Sequence, residues 1–139
     1  MRSLQWTEDN SVFVPEIDAE HEALFHLLQE LRRAVLAGEP REQLERQAGR
    51  LATRAASHFQ HEERLMRASR YGAQDWHERQ HQAARAKLAA LIASIRGHGR
   101  EPVFDALEAL ANWILDHVSV ADHMLGAHLR NRDRERIAS

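Results

Sequence analysis

His58 and Glu62 stand four residues apart in the stretch His58-Phe-Gln-His-Glu62. On a helix that spacing points both side chains the same way, one turn apart. His77 and His81 repeat the interval, Asp122 follows His117 by five residues, and His21 comes earlier. Imidazole nitrogens and carboxylate oxygens without a thiol suit iron, manganese, zinc or copper. Seven protein ligands exceed the four of a tetrahedral zinc site. They suit two ions that share the carboxylates. Any one of these pieces has a plainer reading, since a single core histidine is ordinarily a hydrogen-bonded structural residue and a His–Glu pair can sit on a surface.

The elements that carry these residues decide between the two readings. Ile17, His21, Leu24, Leu28, Leu31 and Val35 recur at alternating intervals of 4 and 3, the buried stripe of a bundle helix. Asp18 is its expected N-cap. Gly38 and Pro40 stop this helix and start the next. The second helix, from about Pro40 to Ser69, has the seam Leu44, Ala48, Leu51, Ala55, His58, Glu62, Leu65. Arg70 to Ala73 is a turn. The third, Gln74 to Arg96, has the seam His77, His81, Ala84, Leu88, Leu91, Ile95. A loop over Gly97 to Pro102 leads to the fourth, Val103 to about Arg130, with the seam Val103, Leu107, Leu110, Ile114, His117, Ala121. Residues 1–17 read as a non-helical arm, with Trp6 and Phe13 expected to pack across the bundle as a cover. Residues 132–139 read as a charged, fraying tail. Four long helices with short connections predict an all-α, antiparallel up-down-up-down four-helix bundle of one domain, residues 1–139. In that topology the polar seam residues of all four helices meet at one level of the core.

Burial makes their presence costly. Each unpaired neutral polar group in an apolar core costs roughly 1–3 kcal/mol or more, and a charge far more. Seven such groups would exhaust the roughly 5–15 kcal/mol that stabilises a domain, so they must satisfy one another or bind something. Asp122 is the geometric oddity, because five residues is about 140° around an ideal helix. Either it reaches across from an adjacent seam (Val118, Asp122, Leu125, Leu129) as a bridge between two ions, or the helix carries a local π-bulge.

Composition narrows the classes. The chain has 139 residues, 43% hydrophobic and 29% charged, a formal charge of −2 and ten histidines. No basic field favours nucleic acid or an anionic membrane. The absence of cysteine excludes disulfides, zinc–thiolate sites, thiolate-bound iron–sulfur clusters and cysteine nucleophiles. No apolar run resembles a signal peptide or approaches the roughly 18 residues of a membrane span, so a cytoplasmic location is expected.

The sequence resembles the hemerythrin family, especially its single-domain bacterial members. The likeness rests on Ile17-Asp-Ala-Glu-His21, on His58-Phe-Gln-His-Glu62-Glu63 with Met66, on Tyr71, on His77 with His81, and on Trp113, His117 and Asp122. Gly72 stands where the family often has proline, which touches a turn and not the site. The resemblance implies a non-haem centre of two iron ions with an oxo or hydroxo bridge. His77, His81 and His117 would hold one iron, His21 and His58 the other, and Glu62 and Asp122 would bridge them. Dioxygen would bind reversibly at the open position of the His21/His58 iron. Trp113 and Ile114 match family pocket positions. Phe25 and Phe59, beside ligand positions, could complete an apolar wall or simply pack the core.

Of the remaining histidines, His26 carries no assignment. His61 and His123 flank ligand positions off the seam and are expected in solvent, and His98 falls in a loop. His128 continues the fourth seam, as a helix-end residue or as a contact to a channel or further metal. The function expected is dioxygen carriage, storage, local supply or sensing, not enzymatic. With no signalling or membrane segment in 139 residues, a stand-alone carrier or supplier is expected over a sensor. The alternative is a di-iron enzyme or a protein reactive towards nitric oxide or peroxide, although histidine-rich ligation suits dioxygen binding better than the Glu-x-x-His sites of ferritin-like oxidases. No protein partner can be read from the chain.

Overall fold

The structure, a computed structural model, describes residues 1–97 and 99–138. His98 and Ser139 lie outside the described residues. Helix α1 spans Pro15–Leu36, α2 Arg41–Ala68 and α3 Gln74–Gly97. Helix α4 (Arg100–His117) passes through a π turn (Val118–Asp122) directly into α5 (His123–Ala138). The backbone stays helical at both junctions, so α4, the π turn and α5 form one rod. The four rods make an all-α antiparallel bundle with no strand among the described residues. Rods α1 and α2, α2 and α3, α3 and α4, and α4 and α1 are neighbours. No described helix is long and apolar enough to cross a membrane.

The 4-and-3 spacing explains the packing. Every residue of the first, third and fourth seams is buried. On α2 the stripe shifts by one residue at its end, where Met66 is buried and Leu65 half-exposed. Two chain reversals use the left-handed conformation. Gly38 (φ 71°) follows α1 and lets Glu39 N–H reach the carbonyl of Ala34 at 3.0 Å, a glycine closure of a helix C-terminus. Arg70 (φ 56°) does the same for α2, with Tyr71 N–H on Met66 O at 2.9 Å.

Helix α1 begins three residues before the expected Asp18. Pro15 supplies a fixed φ at the first turn, and Val14 is the N-cap. Asp18 caps the arm instead, since its carboxylate accepts from Ser11 Oγ (2.6 Å) and Val12 N–H (2.9 Å). The arm itself contains one 3-10 turn, Glu8–Asn10. Trp6 does pack on the core, but Phe13 does not, being 59% exposed. Asp18 holds one side of Val12, and Arg130 Nη1 donates to the Val12 carbonyl on the other. Val12 therefore takes the inward place, and Phe13, at φ 60°, turns out over the Arg130 guanidinium. The C-terminal stretch is helical through Ala138. Arg32, nearly buried, forks onto Glu108 of α4 (2.8 and 2.9 Å) and donates to Arg2 O (2.8 Å), tying α1, α4 and the arm together.

Candidate metal centre

The bundle brings the seven polar seam residues to one end of its core. His21 comes from α1, His58 and Glu62 from α2, His77 and His81 from α3, His117 from α4 and Asp122 from the π turn. None of the seven exceeds 5% exposure. The π turn settles the two alternatives for Asp122. A straight α-helix would turn it about 140° from His117, whereas the wider turn puts Asp122 Oδ1 at 3.0 Å from His117 Nε2.

Each carboxylate divides its oxygens between two groups of histidines. Glu62 Oε1 lies 3.2 Å from His77 Nε2 and 2.9 Å from His81 Nε2, while Oε2 lies 3.2 Å from His58 Nε2 and 3.8 Å from His21 Nε2. Asp122 Oδ1 lies 3.0 Å from both His77 Nε2 and His117 Nε2, while Oδ2 lies 2.9 Å from His21 Nε2. The result is two overlapping donor sets. One holds Glu62, His77, His81, His117 and Asp122, the other His21, His58, Glu62 and Asp122, and within each set the donor atoms lie within 4.8 Å of one another. His21 Nε2, His117 Nε2, Glu62 Oε2 and Asp122 Oδ1 are buried and make no aligned hydrogen bond. Lone pairs aimed at a common point, in an all-nitrogen-and-oxygen set, fit a cation better than they fit one another.

The charges agree. Burial pushes the His58 imidazole towards its neutral form, but the charge of Glu62 and the bonds to Glu20 and Glu62 overcome it and raise its pKa to about 10. Burial opposes His77 in the same way, and Asp122 and Glu62 raise it to about 9. His21 is raised too, by Asp122 and Glu62 against its burial. Burial pushes Glu62 up, yet His58, His21 and His77 hold it well below the carboxylate range. Asp122 is pushed up by burial and by Glu62, and His117 and His21 bring it far down. Without a metal, protons on the imidazoles supply the positive charge that the two carboxylates require.

Behind the donors stand polar residues that sequence reading left without a role. His58 Nδ1 donates to Glu20 Oε1 at 2.6 Å, His81 Nδ1 to Glu63 Oε2 at 2.8 Å, and His117 Nδ1 to Gln80 Oε1 at 3.1 Å. Each flanks a seam ligand in sequence (Glu20 before His21, Glu63 after Glu62, Gln80 before His81). That adjacency, which turns a side chain towards the neighbouring rod, is the signal that could have found them. His61 is not left in solvent as expected. It is half-buried, and its Nδ1 donates to Glu20 Oε2 at 2.8 Å. His123 is exposed, as expected, and His26 is exposed against Glu30. His128 lies 3.0 Å from Ser69 O and 3.1 Å from Ser69 Oγ, and its ring tilts on Tyr71. It fastens α5 to the end of α2.

Beside the donors is a cavity of about 20 Å³. A water molecule needs roughly 10–15 Å³, so the space suits one very small molecule. Its walls include Leu24, Phe25, Phe59, Trp113 and Ile114, and it touches His21, His58, His117 and Asp122 but not His77 or His81. All four residues assigned to a pocket from the sequence therefore line it. Two also stack on donor rings, Trp113 on His117 (4.7 Å, 13°) and Phe59 on His81 (4.2 Å, 19°).

No individual curated protein matches the chain. The sequence profile of the hemerythrin HHE cation-binding domain matches residues 12–129, a span that takes in every donor described above. A clustered His, Glu and Asp set inside a cation-binding domain speaks for metal binding, and with the match running over most of its length the chain belongs to the hemerythrin family.

Proposed function

We propose that this protein binds dioxygen reversibly at a centre of two iron ions. His77, His81 and His117 hold one ion, His21 and His58 the other, and Glu62 and Asp122 bridge them. The observation that carries the reading is the division of each carboxylate, one oxygen to each histidine group. A single ion would not call for that division. Two irons, when bound, supply one electron each to a small oxidant and can take both back.

The chain's own residues make the site selective. Five protein donors converge on the side with three histidines and four on the side with two, so the second side would keep more room for a ligand. The small cavity touches both histidines of that second group and one of the first. Its apolar wall, Leu24, Phe25, Phe59, Trp113 and Ile114, gives water and anions no hydrogen-bond partner. That favours a small apolar gas as occupant and slows loss of the reduced state.

The test begins with elemental analysis and an absorption spectrum of the purified protein, where two irons per chain are expected. Anaerobic reduction followed by oxygen should produce visible bands that reverse on degassing. Irreversible bleaching with catalytic consumption of peroxide would replace this reading with a di-iron enzyme.

A further inference from the structure

The outer nitrogens of the five donor histidines are treated unequally. His81 Nδ1 rests on a carboxylate and His117 Nδ1 on an amide. His21 Nδ1 and His77 Nδ1 are buried with no partner. His58 Nδ1 has the shortest of these contacts, 2.6 Å to Glu20. A carboxylate in that position keeps the second ring proton on Nδ1, so Nε2 presents its lone pair inward, and it makes the ring a stronger donor. On the side of His21 and His58, Glu20 is thus the only hydrogen-bond partner of an outer ring nitrogen among the described residues.

Glu20 is itself about one-third exposed, at 35%. His61 restrains it by donating to its other oxygen at 2.8 Å. One carboxylate from α1 is therefore gripped by two histidines of α2, one facing the site and one facing outward.

We propose that Glu20, held by His61, is a positioning residue for His58 and determines whether the ion on the His21 and His58 side stays bound. The proposal rests on the two-ion reading. Loss of Glu20 strips that side of its oriented ring, while Glu63 and Gln80 still orient His81 and His117. The effect is selective for one ion of the pair.

Iron content and chelator competition in the wild type, Glu20→Ala, Glu20→Gln and His61→Ala test it. Glu20→Ala is expected to weaken the second ion by roughly 10–100-fold and leave the first unchanged. His61→Ala shifts the same affinity in the same direction by less. Glu20→Gln falls between, since one amide oxygen can serve only one histidine. A Glu20→Ala protein that holds both ions with wild-type affinity overturns the proposal. Proton–nitrogen NMR of the metal-free proteins gives a second readout. A downfield, slowly exchanging His58 Nδ1–H is expected in the wild type and absent in Glu20→Ala, and its persistence in that variant is equally fatal. Should the wild type bind one ion or none, the two-iron reading falls, and the NMR comparison still decides whether Glu20 positions His58.

Discussion

Glu62 joins the two halves of the site through its separate oxygens, and it is completely buried. Glu62→Gln keeps the volume and removes the charge that His58, His21 and His77 surround. Iron per chain should fall below two, and the metal-free variant should lose about 3–5 kcal/mol because buried imidazolium groups are left without a counter-charge. Unchanged iron content would disprove the bridging role. Acidity provides a second prediction. The folded metal-free chain holds protons on His58 and His77 up to about pH 10 and 9, against about 6.5 when unfolded. Their contribution to stability is complete below about pH 6.5 and disappears as pH rises through those values. Glu62 and Asp122 lie below their ordinary range, so theirs is present above about pH 4.5 and lost in acid. Melting temperature of the metal-free protein should peak between about pH 5 and 6.5 and fall towards pH 10; in the iron-loaded protein the alkaline fall should vanish, because metal has replaced the protons. Legibility at this scale followed the seam. His21, His58 and Glu62 were visible because they occupy places where apolar residues belong. Glu20, Gln80 and His61 were not, because a polar residue beside a seam looks like an ordinary surface residue until the neighbouring rod is in place.

At the scale of elements, the rods were readable from periodicity and the junctions much less so. The π turn was one of two ways to reconcile Asp122 with His117, and nothing in the residue types Val118 to Asp122 chose between them. What its register achieves is the approach of Asp122 Oδ1 to 3.0 Å from His117 Nε2. The arm was misread at Phe13 for a related reason, since its left-handed backbone follows from the two-sided grip on Val12. Gly126 is part of that grip. A Cβ there would come within 2.5 Å of the Val12 carbonyl oxygen and 3.1 Å of Val12 Cβ. Gly126→Ala should therefore push the arm off α5 and lower stability by about 1–3 kcal/mol, visible as a lower melting temperature and a red shift of Trp6 fluorescence. A variant that melts like the wild type would mean the arm contributes little.

At the scale of the whole molecule, each ion would be held by three of the four rods, one by α2, α3 and the α4–α5 rod and the other by α1, α2 and the α4–α5 rod, and would act as a ligand of the folded state alone. At a free concentration a thousandfold above its Kd, each adds about 4 kcal/mol. Removing iron with a chelator should lower the melting temperature by several degrees or more, at about 2–4 °C per kcal/mol for a chain of this size. Equal melting with and without iron would show that the seven donors do not hold it in the fold.

The placement of Asp122 after the π turn has a consequence for how the molecule opens. With every donor at the end of the bundle that carries the α2–α3 turn, no candidate ligand lies near the opposite end, where α1 ends at Leu36 and α2 begins at Arg41; there aliphatic packing is joined by Arg41 Nη1 donating to Arg96 O at 3.3 Å. Amide exchange should be graded along the axis accordingly. Protons near Gly38 and Arg100 should escape through small local openings whether or not iron is bound, whereas those around His58 and His117 should exchange in the loaded protein only when the whole bundle unfolds. Chelation should erase that gradient, and the slowest amides should be the ones that gain most speed.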